Sequence, residues 1–478
     1  MAWKWSSIFL KNEPSPFQNR EAYNQKIFNW NAIMAWAREV GESLRNYSDS
    51  LDSKMSDYDD RFANQIKNAT DSNSDLSEVV DARLSSKYGQ FSTINKRMEN
   101  VEALAANLDG NSVIGGTVAD SNVSTLETLK KGIDQTKFNL VFITDVHYGR
   151  WNSSPTRLNN FTLAHLNNAL YLDGKVDAIV FGGDNIDGWT RNKAEMVKEQ
   201  EEFGKKALFS SNGNSDKFIL KGNHDDASGN LYQYKNGDFD YLKWLDGSLG
   251  YSADAPEIIS DSELKTAYHT GDLLFNEKRN GDSLYFYKDY PNKKVRLIGL
   301  NSNDDPDLSN SDGTPKYLGL KTMGYQQTQL DWLANTALQN VPSDYLVLIV
   351  GHIPATSLGA DAVNQNLVNQ IINSFQSGDS GTASGSTTDW EVNVNYDFTS
   401  QGERTVVAYV NGHLHAEYLT QNLGFDSVSI TSSINSGTDS STATGDDTDG
   451  WDVLTIDTSQ KKIVLTGFGR ATNRKATY

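Results

Sequence analysis

The sequence contains no cysteine and has a large excess of acidic residues. Without cysteine, a disulfide, a thiolate metal site and a cysteine nucleophile are all excluded. The 43 basic and 62 acidic residues give a formal net charge of -19, which argues against nucleic acid as a partner of the whole surface. Any metal site in this protein must therefore use oxygen and nitrogen ligands.

Long apolar runs are also missing. No stretch approaches the roughly 18 apolar residues that a membrane-spanning helix requires. The apolar run near the N-terminus, Ile8–Leu10, is too short for a secretory signal peptide. We therefore expect no membrane insertion, and another export route if the protein acts outside a cell.

Residues 23–110 have the pattern of long coiled-coil helices. From Tyr23 to Phe62, apolar and small residues recur at alternating steps of four and three, with mostly polar residues between them. A second run, from Phe91 to Leu108, has the same spacing. A helical hairpin within one chain fits this pattern, but a coiled coil of several chains is favoured because a narrow apolar seam cannot bury itself without a partner. We predict an α-helical coiled-coil stalk over 23–110, after a docking segment over 1–22, in a homotrimer.

Three other segments are predicted to be irregular. Residues 111–137, which contain Gly115 and Gly116, are interpreted as a linker to a domain over 138–478. The segments 377–389 and 432–450 are rich in Ser, Gly, Thr and Asp, and both are expected to be surface loops.

In the remainder of the chain, five predicted strands end in side chains that bind metals. The strands are Phe138–Thr144, Ala178–Phe181, Lys217–Lys221, Tyr345–Val350 and Thr405–Val410. They lead into DVH at 145–147, GDNID at 183–187, GNHD at 222–225, GH at 351–352 and GHLH at 412–415. Ligands of α/β proteins bind beyond the carboxyl ends of strands, so five such ends can meet at one point. Five of the seven histidines lie there, which favours a metal centre over scattered core histidines.

Carboxylate, carboxamide and imidazole groups suit a pair of divalent cations. Two cations about 3.5–4 Å apart can lower the pKa of a bridging water, hold a phosphate oxygen and stabilise the charge of an in-line displacement. These ligands suit manganese, iron or zinc, and we favour manganese.

In order and identity, the five motifs resemble those of the calcineurin-like metallophosphoesterases. The resemblance implies an α/β fold, a four-layer α/β/β/α sandwich of two mixed sheets. It also implies a set of metal ligands: Asp145, His147 and His415 for one ion, Asn223, His352 and His413 for the other, and Asp184 bridging both. By the same resemblance, His224 is the general acid that protonates the leaving oxygen, and Asp225 orients His224 through a hydrogen bond.

Three residues near the motifs have open roles. Asp187 either supports the site or caps the next turn, and Arg150 and Trp151 either contact phosphate or sugar or lie on the surface. Serine/threonine phosphoprotein phosphatases of this superfamily carry an arginine where this chain has Gly188. The departure disfavours a protein phosphatase and favours a phosphodiesterase.

A short segment inside the predicted stalk, Ser77–Arg83 followed by Tyr88–Phe91 and Arg97, resembles a VVDAR-type segment of phage tail-fibre, baseplate and appendage proteins. Its alternative interpretation is an ordinary acidic helix start. The resemblance implies a virion tail appendage that acts at the extracellular surface of a Gram-positive host. Its partners would be phage tail or baseplate proteins, and its substrate would be host teichoic acid, a polyol-phosphate polymer.

Two other functions fit parts of the sequence. One is a receptor-binding module that holds glycerol phosphate without turnover, although binding alone would not need His224 beside Asn223. The other is a nucleotide or cyclic-nucleotide phosphodiesterase with an oligomerisation arm. The acidic composition conflicts with a polyanionic substrate unless the metal centre with a local basic rim, or D-alanylation of the polymer, offsets the repulsion.

Overall fold

The structure, a computed structural model, describes residues 118–149, 159–188, 193–231, 258–311, 315–356, 362–434 and 449–478. It also describes positions 31, 33–35, 38, 84–85 and 89–90. The predicted docking segment and nearly all of the predicted stalk lie outside the described residues, so the coiled coil and the trimer stay predictions. No helix in the described ranges is long and apolar enough to cross a membrane.

The described residues form alternating strands and helices. The strands are β1 (Leu84–Ser85), β2 (Gly89–Gln90), β3 (Phe138–Ile143), β4 (Ala178–Phe181), β5 (Asp216–Ile219), β6 (Lys278–Arg279), β7 (Phe286–Tyr290), β8 (Val295–Gly299), β9 (Leu346–Val350), β10 (Ser380–Gly385), β11 (Val392–Asp397), β12 (Thr405–Asn411), β13 (Tyr418–Thr420), β14 (Ser427–Ser429), β15 (Gly450–Asp457), β16 (Lys462–Gly469) and β17 (Arg474–Thr477). The helices are α1 (Asp120–Gly132), α2 (His165–Leu170), α3 (Lys193–Phe209), α4 (Asp261–Ala267), α5 (Gln327–Trp332) and α6 (Gln365–Ser377). The five strands predicted to carry the motifs are present, with ends within two residues of those expected.

Two mixed sheets form the centre of the fold, as predicted. The first has the order β17-β16-β15-β3-β4-β5, in which β3, β4 and β5 are parallel and the pairs β3–β15, β15–β16 and β16–β17 are antiparallel. The second has the order β13-β14-β12-β9-β8-β7-β6, in which β8, β9, β12 and β14 are parallel. The five strands that lead into the motifs, β3, β4, β5, β9 and β12, are all parallel members of these sheets.

Alternate side chains of a strand face opposite sides of the sheet, so one strand contributes to two clusters of core residues. In β9, Leu348 and Val350 pack into a cluster that includes Leu140 and Phe142 of the first sheet. The neighbouring residue Ile349 faces the other way, into a cluster that contains residues of α5 and α6. Because both faces of β9 are covered, its sequence is apolar throughout, and the strand holds the loop that follows it in a fixed position.

Two segments differ from the sequence-based expectation. Within 111–137, residues 120–132 form α1, and Leu126 of this helix is fully buried in the same core as β3. This part of the expected linker therefore packs on the domain. Within 377–389, expected to be a loop, Ser380–Gly385 form β10, which pairs antiparallel with β11. The pairing supplies the stability that a strand of Ser, Gly, Thr and Ala lacks by propensity.

The buried ion pair between Lys217 and Asp173 provides a test of how β5 is held. Their charged atoms are 3.0 Å apart and both side chains are 2% exposed. Burial raises the pKa of Asp173, but the charge of Lys217 and several hydrogen bonds lower it by more. The pKa of Asp173 is therefore below its usual value. The stabilisation is therefore present at neutral pH and is lost as the pH falls through this lowered pKa.

We predict that Lys217→Met lowers the free energy of unfolding by about 3–5 kcal/mol at pH 7, because Asp173 is left buried without its counter-charge. The loss should shrink towards acidic pH, where the unpaired carboxylate takes up a proton. Denaturant titrations at several pH values measure this, with the exposed Lys175→Met as the matched control. An equal loss in both variants would contradict the role of the pair.

Candidate metal centre

The first group of ligand atoms lies where β3, β4 and β12 end. Atoms of Asp145, His147, Asp184 and His415 all lie within 4.8 Å of one another. Nε2 of His147 is 3.1 Å from Nε2 of His415, and the latter is 3.2 Å from Oδ1 of Asp145. Two imidazole nitrogens and two carboxylates that face one point form a suitable ligand set for a divalent cation.

The second group shares Asp184 and adds the ends of β5 and β9. Nε2 of His352 is 3.2 Å from Oδ1 of Asp184, and atoms of His413 complete a three-residue group with them. Oδ1 of Asn223 is 3.1 Å from Nε2 of His352 and 3.0 Å from Nδ1 of His413. The two groups meet at Asp184, which is 2% exposed and points one oxygen towards each.

The orientation of Asn223 tests whether this site fits a cation. Its carboxamide oxygen faces the imidazole nitrogens of His352 and His413 and lies 3.3 Å from both oxygens of Asp184. Without a cation, the amide would be better turned by 180° so that its NH2 group donates to these acceptors. With a cation among them, the oxygen orientation is the favourable one, since all four residues then act as ligands. The donor set therefore fits the metal pair that the motifs predict.

The backbone of the site is unusual. Asp145, His147, Asp184, His413 and His415 all have positive φ values, between 47° and 70°. This left-handed conformation is uncommon for residues other than glycine and costs of the order of 1 kcal/mol each. Gly222 allows the loops to approach closely, because a Cβ there would lie 2.1 Å from the backbone nitrogen of Asp184. The strand ends are thus bent so that each side chain points into one small volume.

The charges of the cluster are strongly coupled. Burial raises the pKa of Asp145, but the interactions with His415 outweigh it and hold that pKa at about 2. Burial lowers the pKa of His352, but Asp184 outweighs it and raises that pKa to about 9. Burial and the charge of His352 lower the pKa of His413 to about 4. In the metal-free protein, His352 therefore keeps a proton that a cation must displace.

Asp187 supports the site. Its Oδ1 lies 3.3 Å from Nδ1 of His147, on the side of the ring that faces away from the ligand group. A carboxylate in this position fixes the tautomer of a histidine ligand and raises its basicity. The carbonyl oxygen of Gly182 does the same for His352, at 2.9 Å from Nδ1. Of the two roles considered for Asp187, the structure favours support of the site.

His224 lies at the edge of both groups. Its Nε2 is 4.0 Å from Oδ2 of Asp184, and its side chain is 18% exposed. Its Nδ1 is 2.7 Å from the carbonyl oxygen of Asp187. A carbonyl only accepts, so Nδ1 carries a proton and Nε2 is the nitrogen that faces the site.

The predicted hydrogen bond between His224 and Asp225 is absent, because Nδ1–H of His224 donates to the carbonyl of Asp187 instead. The fully buried carboxylate of Asp225 instead accepts five hydrogen bonds. The donors are the backbone nitrogens of Gly222, Asn185 and Ile186 and the side-chain amides of Asn185 and Gln200. Asp225 therefore holds the GNHD and GDNID loops together.

Sequence reasoning missed the buried residues around Asp225. Tyr268 donates its hydroxyl to Oε1 of Gln200 at 2.8 Å and accepts from the amide of Asn185 at 3.0 Å. None of these residues belongs to a recognisable motif apart from Asn185. The one signal available in the sequence was that Gln200 is a polar residue within the apolar stripe of α3, and the structure shows that it is fully buried there.

The remaining candidates lie elsewhere. Arg150 and Trp151 are outside the described residues, so their roles stay predictions. His269 is 2.8 Å from Asp272 and packs its ring against Phe209, apart from the ligand groups.

Comparison with known proteins gives the family. The profile of the calcineurin-like phosphoesterases matches residues 138–417, which is more than half of the chain. The chain belongs to the calcineurin-like phosphoesterase family. Membership in this family and the groups of ligand side chains confirm the prediction of a metal-dependent phosphoester hydrolase with a dimetal centre.

Two solved structures are similar to parts of the fold. A dimetal phosphatase from Danio rerio has 16% identity over 71% of this chain and 99% of its own, with a TM-score of 0.44. A phosphopantetheinyl hydrolase from Mycobacterium tuberculosis has 12% identity over 63% of this chain and 91% of its own, with a TM-score of 0.24. No curated protein matches the chain significantly.

We predict that the protein binds two Mn²⁺ ions per chain and that Asp184→Asn weakens this binding by more than about 100-fold. Loss of a group that only hydrogen-bonds to a metal ligand already weakens binding by about 10–100-fold, so loss of a ligand that serves both ions should weaken it more. Affinity should rise with pH up to about 9, because the proton on His352 must leave. Calorimetric titration in buffers of different ionisation enthalpy measures both. The exposed Asp331→Asn serves as the control, and proton-neutral binding at pH 7 would contradict the prediction.

For Asp225→Asn we predict a loss of stability of about 1–3 kcal/mol together with weaker metal binding, because the new NH2 group cannot accept from the loop donors. Thermal unfolding and metal titration measure this. If Asp225 acted on His224 instead, the variant would keep its metals and lose only turnover.

Proposed function

We propose that this protein is a binuclear phosphodiesterase that hydrolyses host teichoic acid from a phage tail appendage. The observation that carries the proposal is His224. It lies beside both ligand groups, with a fixed Nδ1 and with Nε2 directed at Asp184. A module that only bound phosphate would have no use for a proton donor at this position.

The metal pair supplies Lewis acidity, an activated water and neutralisation of phosphate charge. Asp145, His147 and His415 would hold one ion, Asn223, His352 and His413 the other, and Asp184 both. Asp145 and Asp184 are the two anionic members of this set, so two divalent ions leave the site with net positive charge. Such a site attracts the single negative charge of a phosphodiester.

His224 would protonate the leaving alcohol. In its imidazolium form, Nδ1–H donates to the carbonyl of Asp187 and Nε2–H faces the reacting group. As the ester bond breaks, Nε2 gives its proton to the leaving oxygen. Gly188, where protein phosphatases of the superfamily carry an arginine, supports a diester rather than a phosphoprotein as substrate.

The biological setting follows from the N-terminal sequence. The heptad pattern over 23–110 and the VVDAR-type segment support a homotrimeric stalk that attaches to phage tail or baseplate proteins. The enzyme would then act in the virion, at the outer surface of a Gram-positive host, on a glycerol-phosphate polymer. Three copies would raise the effective concentration on a repetitive polymer.

We predict that His224→Gln lowers kcat on glycerol-type teichoic acid by about 10²–10⁴, the usual contribution of a general acid. The loss on bis-p-nitrophenyl phosphate should be much smaller, because p-nitrophenolate leaves without protonation. Assays with Mn²⁺ measure both, with metal content checked in parallel. His269→Gln is the matched control.

Three other outcomes would contradict this prediction, and two of them would support a different function. Equal losses on both substrates, with metals retained, would overturn the role of His224 as the acid. Cleavage of a nucleotide diester with teichoic acid left intact would support the nucleotide phosphodiesterase. No cleavage of any diester, with the polymer bound, would support the receptor-binding module.

A further inference from the structure

The first ion, which Asp145, His147, Asp184 and His415 would hold, takes its ligands from two different sheets. The first three residues follow β3 and β4 of the first sheet, whereas His415 follows β12 of the second. The side chain of His415 is 32% exposed, while those of the other three are at most 6% exposed. Core packing therefore fixes His415 less firmly than the other ligands, and further contacts must hold its loop against the first sheet.

Glu417, two residues after His415, is bound to the C-terminal part of the chain. Its carboxylate accepts hydrogen bonds from the backbone nitrogen of Thr472 at 2.7 Å, from the hydroxyl of Thr472 at 2.5 Å and from Nη1 of Arg474. Because two residues span at most about 7 Å of chain, these bonds restrict the position of His415.

Arg474 extends this link to the first sheet. Its Nη2 donates to Oδ2 of Asp452 at 2.7 Å, and Asp452 is fully buried in β15. Asp452 pairs with Phe142 of β3, three residues before Asp145. A guanidinium is planar and rigid, so one that donates to two carboxylates holds them in a fixed geometry. Arg474 therefore connects the loop of His415 to the strand that carries Asp145.

A second arginine, Arg470, holds the backbone beside Asp145. Its Nη2 donates to the carbonyl oxygens of residues 432–434. The backbone nitrogen of Ile434 in turn donates to the carbonyl oxygen of Asp145 at 3.0 Å. Asp145 has a φ of 54°, and such a conformation persists only where the surrounding structure fixes it. Arg470 therefore stabilises a segment that fixes the backbone of a metal ligand.

The other ion has a support in a different part of the chain. Nδ1 of His352, one of its ligands, is 2.9 Å from the carbonyl oxygen of Gly182. This support lies in the stretch 138–417 that the family profile matches, whereas Arg470 and Arg474 lie after that stretch. Loss of either arginine should therefore affect the first ion more than the other.

We propose that Arg470 and Arg474 are positioning residues for one of the two metal ions, the one held by Asp145, His147 and His415. Each acts through hydrogen bonds to a ligand-bearing loop and not as a ligand itself. The inference rests on the dimetal part of the proposed function and does not depend on the substrate.

The test is a calorimetric Mn²⁺ titration of Arg474→Met and Glu417→Gln. In each variant the Kd of one ion should rise about tenfold, the lower end of the effect of losing a group that supports a metal ligand, and the other Kd should stay as in wild type. The double variant should lose no more than either single one, because both changes break the same link. The titration is done at pH 8, since burial raises the pKa of Asp452 to about 7 and its carboxylate must be ionised.

Two further variants identify the ion and the path. His415→Ala, which removes a ligand of the first ion, shows which binding step belongs to that ion. Arg470→Met should weaken the same step, and its effect should multiply with that of Glu417→Gln because the two act through different segments. Arg474→Lys should restore part of the affinity, since lysine keeps the charge but cannot bridge two carboxylates.

Arg296→Met is the matched control for a loss of stability alone. Nε of Arg296 is 2.7 Å from Oδ1 of Asp289, in a pair at the start of β8, away from the motif end of the sheet. This variant should unfold more easily and bind both ions as wild type does.

Equal weakening of both ions in Arg474→Met, or two unchanged Kd values, would overturn the proposal. A wild type that binds fewer than two ions would also overturn it. If wild type binds two ions and cleaves no diester, the proposed function fails, and the selective loss of one ion in the variants still supports the positioning role.

Discussion

The site depends on the attraction between two buried carboxylates and the imidazoles around them. Asp145 and Asp184 are 0% and 2% exposed, and burying two carboxylates in one cluster is costly unless opposite charge is present. In the metal-free protein a proton on His352 supplies part of that charge, which is why Asp184 raises the pKa of His352 to about 9. Divalent cations provide more charge at the same place, so metal binding and the stability of this region are linked.

This concentration of charge is possible because a rigid frame holds it. The left-handed backbone at five of the site residues is unfavourable locally and persists because the surrounding structure fixes it. The two sheets fix the strand ends, and the carboxylate of Asp225 ties the loops after β4 and β5 together with five hydrogen bonds. A buried network of this kind stabilises only when every donor is satisfied. The frame therefore determines the geometry of the metals before any substrate binds.

The metal-binding loops could be predicted because each is local, an apolar strand followed by a ligand, and parallel strands bring their ends together. The partner of His224 could not. Asp225 is adjacent in sequence, but its carboxylate is taken up by Gln200 and by the middle of the GDNID loop, and the Asp187 carbonyl reaches His224 only in the folded chain. The pairing of β10 was equally hidden, since Ser380–Gly385 form a strand through their partner and not through their own propensity.

The acidic composition and a polyanionic substrate are compatible if recognition is short-ranged. At physiological salt, interactions between exposed charges fade beyond about 8 Å, so the net charge of -19 acts weakly on a polymer segment already at the metals. There the positive centre attracts one phosphate, but any phosphate would satisfy it. Discrimination among phosphate esters must then come from contacts with the groups that the phosphate joins, since the charge of the metal pair acts on every phosphate alike.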